Sequence, residues 1–214
     1  MQTRNIILAA ALGALASAAA CNRLLEVDNP GRVPVESLSD PSMAGVLDAS
    51  ALGSFECAFA QYVATAGVLS GEYVISNFFV DSNIWGWRGV EILTAAGSCP
   101  GARTTTSLGF YAPMQTSRYL GEKAIATISG FTDTQVPNRG RMLAELHIYD
   151  GYAYVLLGEG MCQMTVDGGP AMTKQETWKA AIQHFTDGLA LAQTANNTDP
   201  VSYTHLTLPT ILRV

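Results

Sequence analysis

Residues that carry chemistry are present in this sequence, but few stand at the spacings chemistry uses. The three histidines, His147, His184 and His205, share no metal-ligand spacing, and no His-Glu-x-x-His occurs. There is no Gly-x-Ser-x-Gly elbow and no glycine loop of the phosphate-cradling kind. Glu145, His147 and Asp150 fall close together. A spacing of two turns Glu145 and His147 to different sides of a helix, so the three read as solvated positions on a helix with an apolar opposite face. Asp167-Gly168-Gly169 supplies one carboxylate where calcium wants about six oxygens, so it reads as a turn. No Cys-x-x-Cys occurs, which argues against zinc. The sequence therefore predicts no catalytic residues, no metal and no cofactor.

Cys21 is the residue with the clearest chemistry. Residues 1–20 read as a signal peptide, with Arg4 in a short polar start, an apolar run from Ile6 to Ala16, and Ser17-Ala18-Ala19-Ala20. The apolar run is too short to span a bilayer as a helix. Cys21 follows three alanines directly, which resembles a lipobox and predicts lipid attachment there. Asn22 in the next position allows delivery to the outer membrane. Export would put the remaining cysteines, Cys57, Cys99 and Cys162, where disulfides persist. Cys57 and Cys99 are the preferred pair, since both lie in the N-terminal half. Cys162 is then a buried thiol on a helix, or one whose partner lies beyond this chain.

One cluster suggests a binding surface. Tyr73, Phe78, Phe79, Trp85, Trp87, Phe110 and Tyr111 crowd among Gly, Asn, Ser and Pro. Aromatic faces stack on the apolar C–H face of a sugar, so Trp85 and Trp87 are weak candidates for ligand binding. The competing expectation, which we prefer, is that they fold inward as core.

The elements that must position these residues are mostly helical. Charged residues make up 14% of the chain and hydrophobic ones 48%, enough for a sizeable core. With residues 1–20 removed, 11 Lys and Arg face 18 Asp and Glu, a net charge of −7. No basic stripe occurs, so nucleic acid is not an expected partner. Prolines in Leu24 to Pro34 predict an extended leader. Asp40 and Pro41 predict a helix start, with the helix running to about Ala66 and Gly67 or Gly71 ending it. Residues 71–112 read as mostly loop. Residues 113–129 read as a helix with Tyr119, Leu120, Ala124, Ile125 and Ile128 inward. A broad apolar stripe predicts a helix from Arg139 to Cys162. Thr173-Lys174-Gln175-Glu176 matches a capping box for a last helix burying Trp178, Ala181, Ile182, Phe185, Leu189 and Ala192. Ala181-x-x-x-Phe185-x-x-Gly188 is close to a tetratricopeptide helix signature.

Several stretches together resemble the SusD/RagB family of nutrient-uptake outer-membrane lipoproteins. They are Cys21-Asn22-Arg23-Leu24-Leu25-Glu26-Val27-Asp28-Asn29-Pro30; Phe55-Glu56-Cys57-Ala58-Phe59 through Gly71-Glu72-Tyr73; and Ala144 to Cys162, followed by Gly168-Gly169-Pro170 and the capped helix. They cover most of residues 21–199. The resemblance implies an all-α fold of tetratricopeptide-like hairpins with long irregular loops. It implies a cell-surface lipoprotein that binds an oligosaccharide or peptide and passes it to a SusC-like TonB-dependent transporter barrel. No ligand residues carry over, because they vary between members. Members are usually much longer, so 21–200 is expected to be the N-terminal helical region of a truncated chain. Residues 201–214 resemble translated adapter sequence and are expected to be a non-native tail. Two other classes compete: a tetratricopeptide-like structural lipoprotein scaffolding an envelope complex, and a surface glycosidase with two carboxylates flanking a cleft. A binding protein, not an enzyme, is the expectation.

Overall fold

A computed structural model describes residues 33–76, 83–89, 97, 99 and 108–194. The expected signal peptide 1–20, Cys21, most of the expected leader and the suspected tail 201–214 lie outside the described residues. The chain divides into two units, Met1–Ser37 and Leu38–Val214, and the described α-helices and strands belong to the second.

Its first helix starts as the residue types dictate. The Asp40 carboxylate accepts from the Ser42 N–H at 2.8 Å, and Pro41 opens a 3-10 turn, Pro41–Met43. The turn runs straight into α1, Ala44–Ser70. Gly71 ends α1 in the left-handed conformation (φ 85°), which glycine adopts without a Cβ clash. The helix passes through Gly67, the other candidate stop.

Helix α2 is Tyr111–Ser129, with Pro113 in its first turn, where a missing N–H costs nothing. Its inward face is the expected one at Ala124 and Ile128 but not at Tyr119. Met114, Ser117, Arg118, Gly121, Ala124 and Ile128 are buried, while Tyr119 is 43% exposed. The Arg139 guanidinium donates back to the carbonyls of Ile128 and Ser129, satisfying the open end of α2.

Helix α3, Arg139–Gly160, follows. Met161 turns extended, so the helix stops two residues short of Cys162. Cys162 is consequently an exposed free thiol beside the hairpin, not a buried one on a helix. Next come two short strands missed in the sequence, β1 (Gln163–Thr165) and β2 (Ala171–Thr173), paired antiparallel with Met164 opposite Met172. Three residues are too few for a period of two to show. Asp167 and Gly168, both at positive φ, make the turn between them.

Helix α4, Lys174–Thr194, has the expected capping box. Glu176 accepts from the Thr173 N–H at 2.7 Å, and Thr173 Oγ1 accepts from the Glu176 N–H at 3.3 Å. The described residues are thus mostly helical, with one small hairpin among them. Among the described residues no helix is long and apolar enough to cross a membrane.

Helix α3 lies at the centre. Phe55 and Ala58 of α1, Met114 of α2 and Ala181 of α4 share a core with its Ala153, Tyr154, Leu156 and Leu157. A Cβ on Gly151 would meet the Phe185 ring at 2.6 Å, and one on Gly158 the Trp178 ring at 2.5 Å. Position 188 of α4 lies against Ala144. Rising numbers on α3 thus meet falling numbers on α4, and the two run antiparallel. The predicted stripe of α4 is only half inward. Ala181 and Ala192 are buried, but Trp178 is 39% and Ile182 63% exposed. The Trp178 and Phe185 rings rest on the glycine notches of α3.

Unfolding in urea separates these positions. Leu157, fully buried, should lose about 2–5 kcal/mol on change to alanine. Ile182→Ala should change stability by no more than about 0.5 kcal/mol. Equal losses at the two positions would show the rotation of α4 to be wrong.

Candidate functional site

The inward turn of α2 brings a guanidinium into the protein. Arg118 is 2% exposed. Its Nη1 donates to Glu122 at 2.6 Å, its Nη2 to Asp167 of the hairpin turn at 2.7 Å, and its Nε to Gln115 at 2.9 Å. Burial works against this charge, but the bonds to Asp167 and Glu122 outweigh it and hold the proton more tightly than usual. Gln115 donates in turn to the Thr165 carbonyl at 2.9 Å, so two residues of α2 clamp the hairpin.

Behind Arg118 lies a second group of polar side chains, contributed by three helices. Tyr154 of α3 donates to the other oxygen of Glu122 at 2.7 Å. Burial and that bond to Glu122 raise the tyrosine pKa. Asp150, one turn earlier on α3, is 2% exposed, and its Oδ2 has no hydrogen-bond partner. Burial pushes its carboxyl up to about 8, Glu122 adds to the rise, and Arg118 opposes it. His184 of α4 stacks on Tyr154, with its Nδ1 3.9 Å from Asp150 Oδ2. His147 Nδ1 lies 3.2 Å from His184 Nδ1, so one ring carries the proton that the other accepts. Burial lowers the pKa of both imidazoles, and for His184 the facing His147 lowers it further.

The expectation that Glu145, His147 and Asp150 are solvated is therefore wrong for Asp150. At position 150 the helix is covered by α2 and α4, while Glu145 and His147 are half-buried. Glu145 does face another way, toward Asp48 of α1, whose pKa it helps raise. The sequence did not reveal the cluster because Glu122, Asp150 and His184 are far apart in the chain. The one local signal was Gly121 within a helix. A Cβ there would lie 2.7 Å from Asp150 Oδ1.

On the outer side of Arg118 is an open pocket of about 330 Å³. Tyr111, Gln115, Tyr119, Thr165 and Asp167 line it together with Arg118. Its lining combines two tyrosines with an amide, a guanidinium and a carboxylate. Arg118 has two N–H groups beyond the three bonded here, out of about five. Asp167 accepts from this guanidinium out of the hairpin turn.

The tryptophan pair does not form a platform. Trp85 is 6% exposed, packs against Phe110, and donates its indole N–H to the Leu108 carbonyl at 2.7 Å. Its ring is core and does not face a ligand. Trp87 is 66% exposed. Trp85 is the one of the pair whose N–H finds a partner in the core. Cys57 of α1 and Cys99 form a disulfide, with Cα atoms 5.9 Å apart. No family model matches the chain, and comparison with curated proteins and with solved structures finds no match.

Two substitutions probe the electrostatics. Arg118→Met strips the cation from Glu122 and Asp167 and should cost about 3 kcal/mol in urea unfolding, the low end for a broken buried pair because both carboxylates reach solvent. A loss below about 1 kcal/mol, within the range of surface pairs, would place Arg118 in solvent. The second probe is Asp48, whose Oδ1 is buried and unpartnered. Burial, with help from Glu145 and against Arg141, pushes its carboxyl up to about 6. The folded state then holds the proton more tightly than the unfolded one. The stability this contributes is full at low pH and lost as pH rises through about 6. Asp48→Asn cannot ionise, so its unfolding midpoint should gain on that of the parent between about pH 4 and pH 8. A constant difference across that range would place Asp48 in water.

Proposed function

We propose that this chain is an exported lipoprotein of the SusD/RagB type, anchored through Cys21 to the outer membrane and facing the cell surface. It captures an oligosaccharide or peptide and passes it to a TonB-dependent transporter barrel. It is a carrier and not an enzyme, and nucleic acid is not among its partners. The observation that carries this reading is the ordered run of motifs from the Cys21 leader to the capped helix α4.

Three structural features support it. The α3–α4 pair is antiparallel, with the small residues Ala181 and Gly188 buried at its seam, as in a tetratricopeptide-like hairpin. The Cys57–Cys99 disulfide suits an exported protein, because such bonds are rare in the cytosol. The pocket beside Arg118 suits a sugar. Tyr111 and Tyr119 offer faces for its C–H side, and Gln115, Arg118 and Asp167 offer groups for its hydroxyls. This pocket takes the place of the Trp85–Trp87 platform as the candidate ligand surface.

Expression of the full chain in a Gram-negative host tests the reading. A fatty-acid analogue fed to the cells should label the protein, and Cys21→Ser should abolish the label and release the protein from the membrane. Barrel complexes extracted in detergent should contain the labelled chain. An unlabelled parent protein sinks the lipoprotein reading. A labelled protein that never accompanies a barrel would instead favour the scaffolding role.

A further inference from the structure

We propose that Glu122, Asp150 and His184 form a binding site for one divalent transition-metal cation of the zinc type, joining α2, α3 and α4. One donor atom from each residue lies within 4.8 Å of the other two. Zinc holds such ligands at about 2.0–2.2 Å in a tetrahedral arrangement, so its donors stand about 3.3–3.6 Å apart. Side-chain movements of about 1 Å would bring the three donors to that spacing. A carboxylate, carboxylate and imidazole set suits zinc and its first-row neighbours, not an all-oxygen calcium cage.

The second observation is Asp150 itself. Its side chain is 1% exposed, its Oδ2 has no hydrogen-bond partner, and that oxygen faces His184. A buried polar atom without a partner asks for an explanation, and a cation held by that oxygen is one. The nearest cation, Arg118, gives its bonds to Gln115, Glu122 and Asp167 and makes none to Asp150 Oδ2. Two carboxylates and a turn aspartate around one guanidinium leave the cluster short of positive charge.

The surroundings are built to hold such a ligand set. Tyr154 and Arg118 each donate to one oxygen of Glu122, fixing its orientation as outer hydrogen bonds fix metal ligands. Each oxygen keeps a further lone pair for the cation. Gly121 leaves the space that the Asp150 carboxylate fills. His184 is 18% and Glu122 29% exposed, which provides a way in from solvent. The inference is independent of the sugar-binding reading, since the pocket lies on the other side of Arg118.

The test is zinc binding to the purified full chain after treatment with a chelator. Equilibrium dialysis should find one equivalent bound, and zinc should raise the thermal midpoint. Asp150→Asn and His184→Gln, each checked for helicity by circular dichroism, should weaken binding at least about tenfold, since even outer-shell losses reach that size. Cobalt in place of zinc should give visible d–d bands without a thiolate charge-transfer band, which reports nitrogen and oxygen donors even if a variant fails to fold. The proposal is overturned if the parent binds no zinc. It is also overturned if binding survives both substitutions, or if the cobalt spectrum shows a thiolate, which would place the metal on the exposed Cys162.

Discussion

A guanidinium taken out of water costs several kcal/mol unless its charge and its donors are met. Arg118 meets that demand with partners from two separate elements, and much of the structure hangs on how it does so. Glu122 lies one turn along its own helix, but Asp167 lies in the turn between β1 and β2. The hairpin is thereby drawn against α2, and Gln115 holds the same strand through the Thr165 carbonyl. A three-residue ladder is too short to fix its own position. With the hairpin in place, Met164 enters the main core, at 3% exposure. The hairpin also sets where α4 begins, because Thr173 is at once the last residue of β2 and the cap of that helix. One ion pair thus ties the position of α2 to the entry of α4.

The second constraint is the crowding of α3. A helix flanked by three others needs neighbours that approach closely, and large residues on all its faces would hold them off. Here Gly151 and Gly158 leave notches that the rings of Phe185 and Trp178 fill. Bulk on α4 meets absence on α3, so the seam is dense even though Trp178 and Ile182 keep much surface in water. Gly188 reverses the arrangement, setting the gap on α4 against the Ala144 carbonyl. The alternation fixes the register of the two helices, since a shift of one turn would set ring against ring.

Local signals were legible and long-range ones were not. Asp40-Pro41, Gly71 and the Thr173–Glu176 box act on the backbone within a few residues, and each ends or starts a helix where its type predicts. The apolar stripe of α3 was readable for the same reason. The inward face of α2 was not, because polarity misleads there. Ser117, Arg118 and Gly121 are buried, and Arg118 is tolerable inside only because of Asp167, 49 residues away. The stripe of α4 failed in the opposite way. Trp178 and Ile182 look like core, yet the notches of α3 accept only part of that face. The candidate site suffered most, since its donors come from three helices and no spacing in the chain records their meeting.

Two features of that site run against the rest of the fold. Gly121 interrupts a helix, where glycine costs about 1 kcal/mol relative to alanine. Asp150 places a carboxyl in the interior, where an apolar side chain of similar size would cost nothing to desolvate. Neither choice improves the packing alone. Together they fit, because the missing Cβ of one makes room for the carboxylate of the other. At the cap of α4, by contrast, propensity and hydrogen bonding agree; Asp48 Oδ1 is the other buried carboxylate oxygen without a partner among the described residues. Disagreements of this kind concentrate at functional sites in folded proteins. The disagreement here falls on the spot where Glu122, Asp150 and His184 converge. A core selected for stability alone would fill that spot with apolar side chains, as buried charges replaced by packed hydrophobic residues often leave a protein more stable. Keeping the carboxylate there needs a reason outside packing, and a bound cation supplies one.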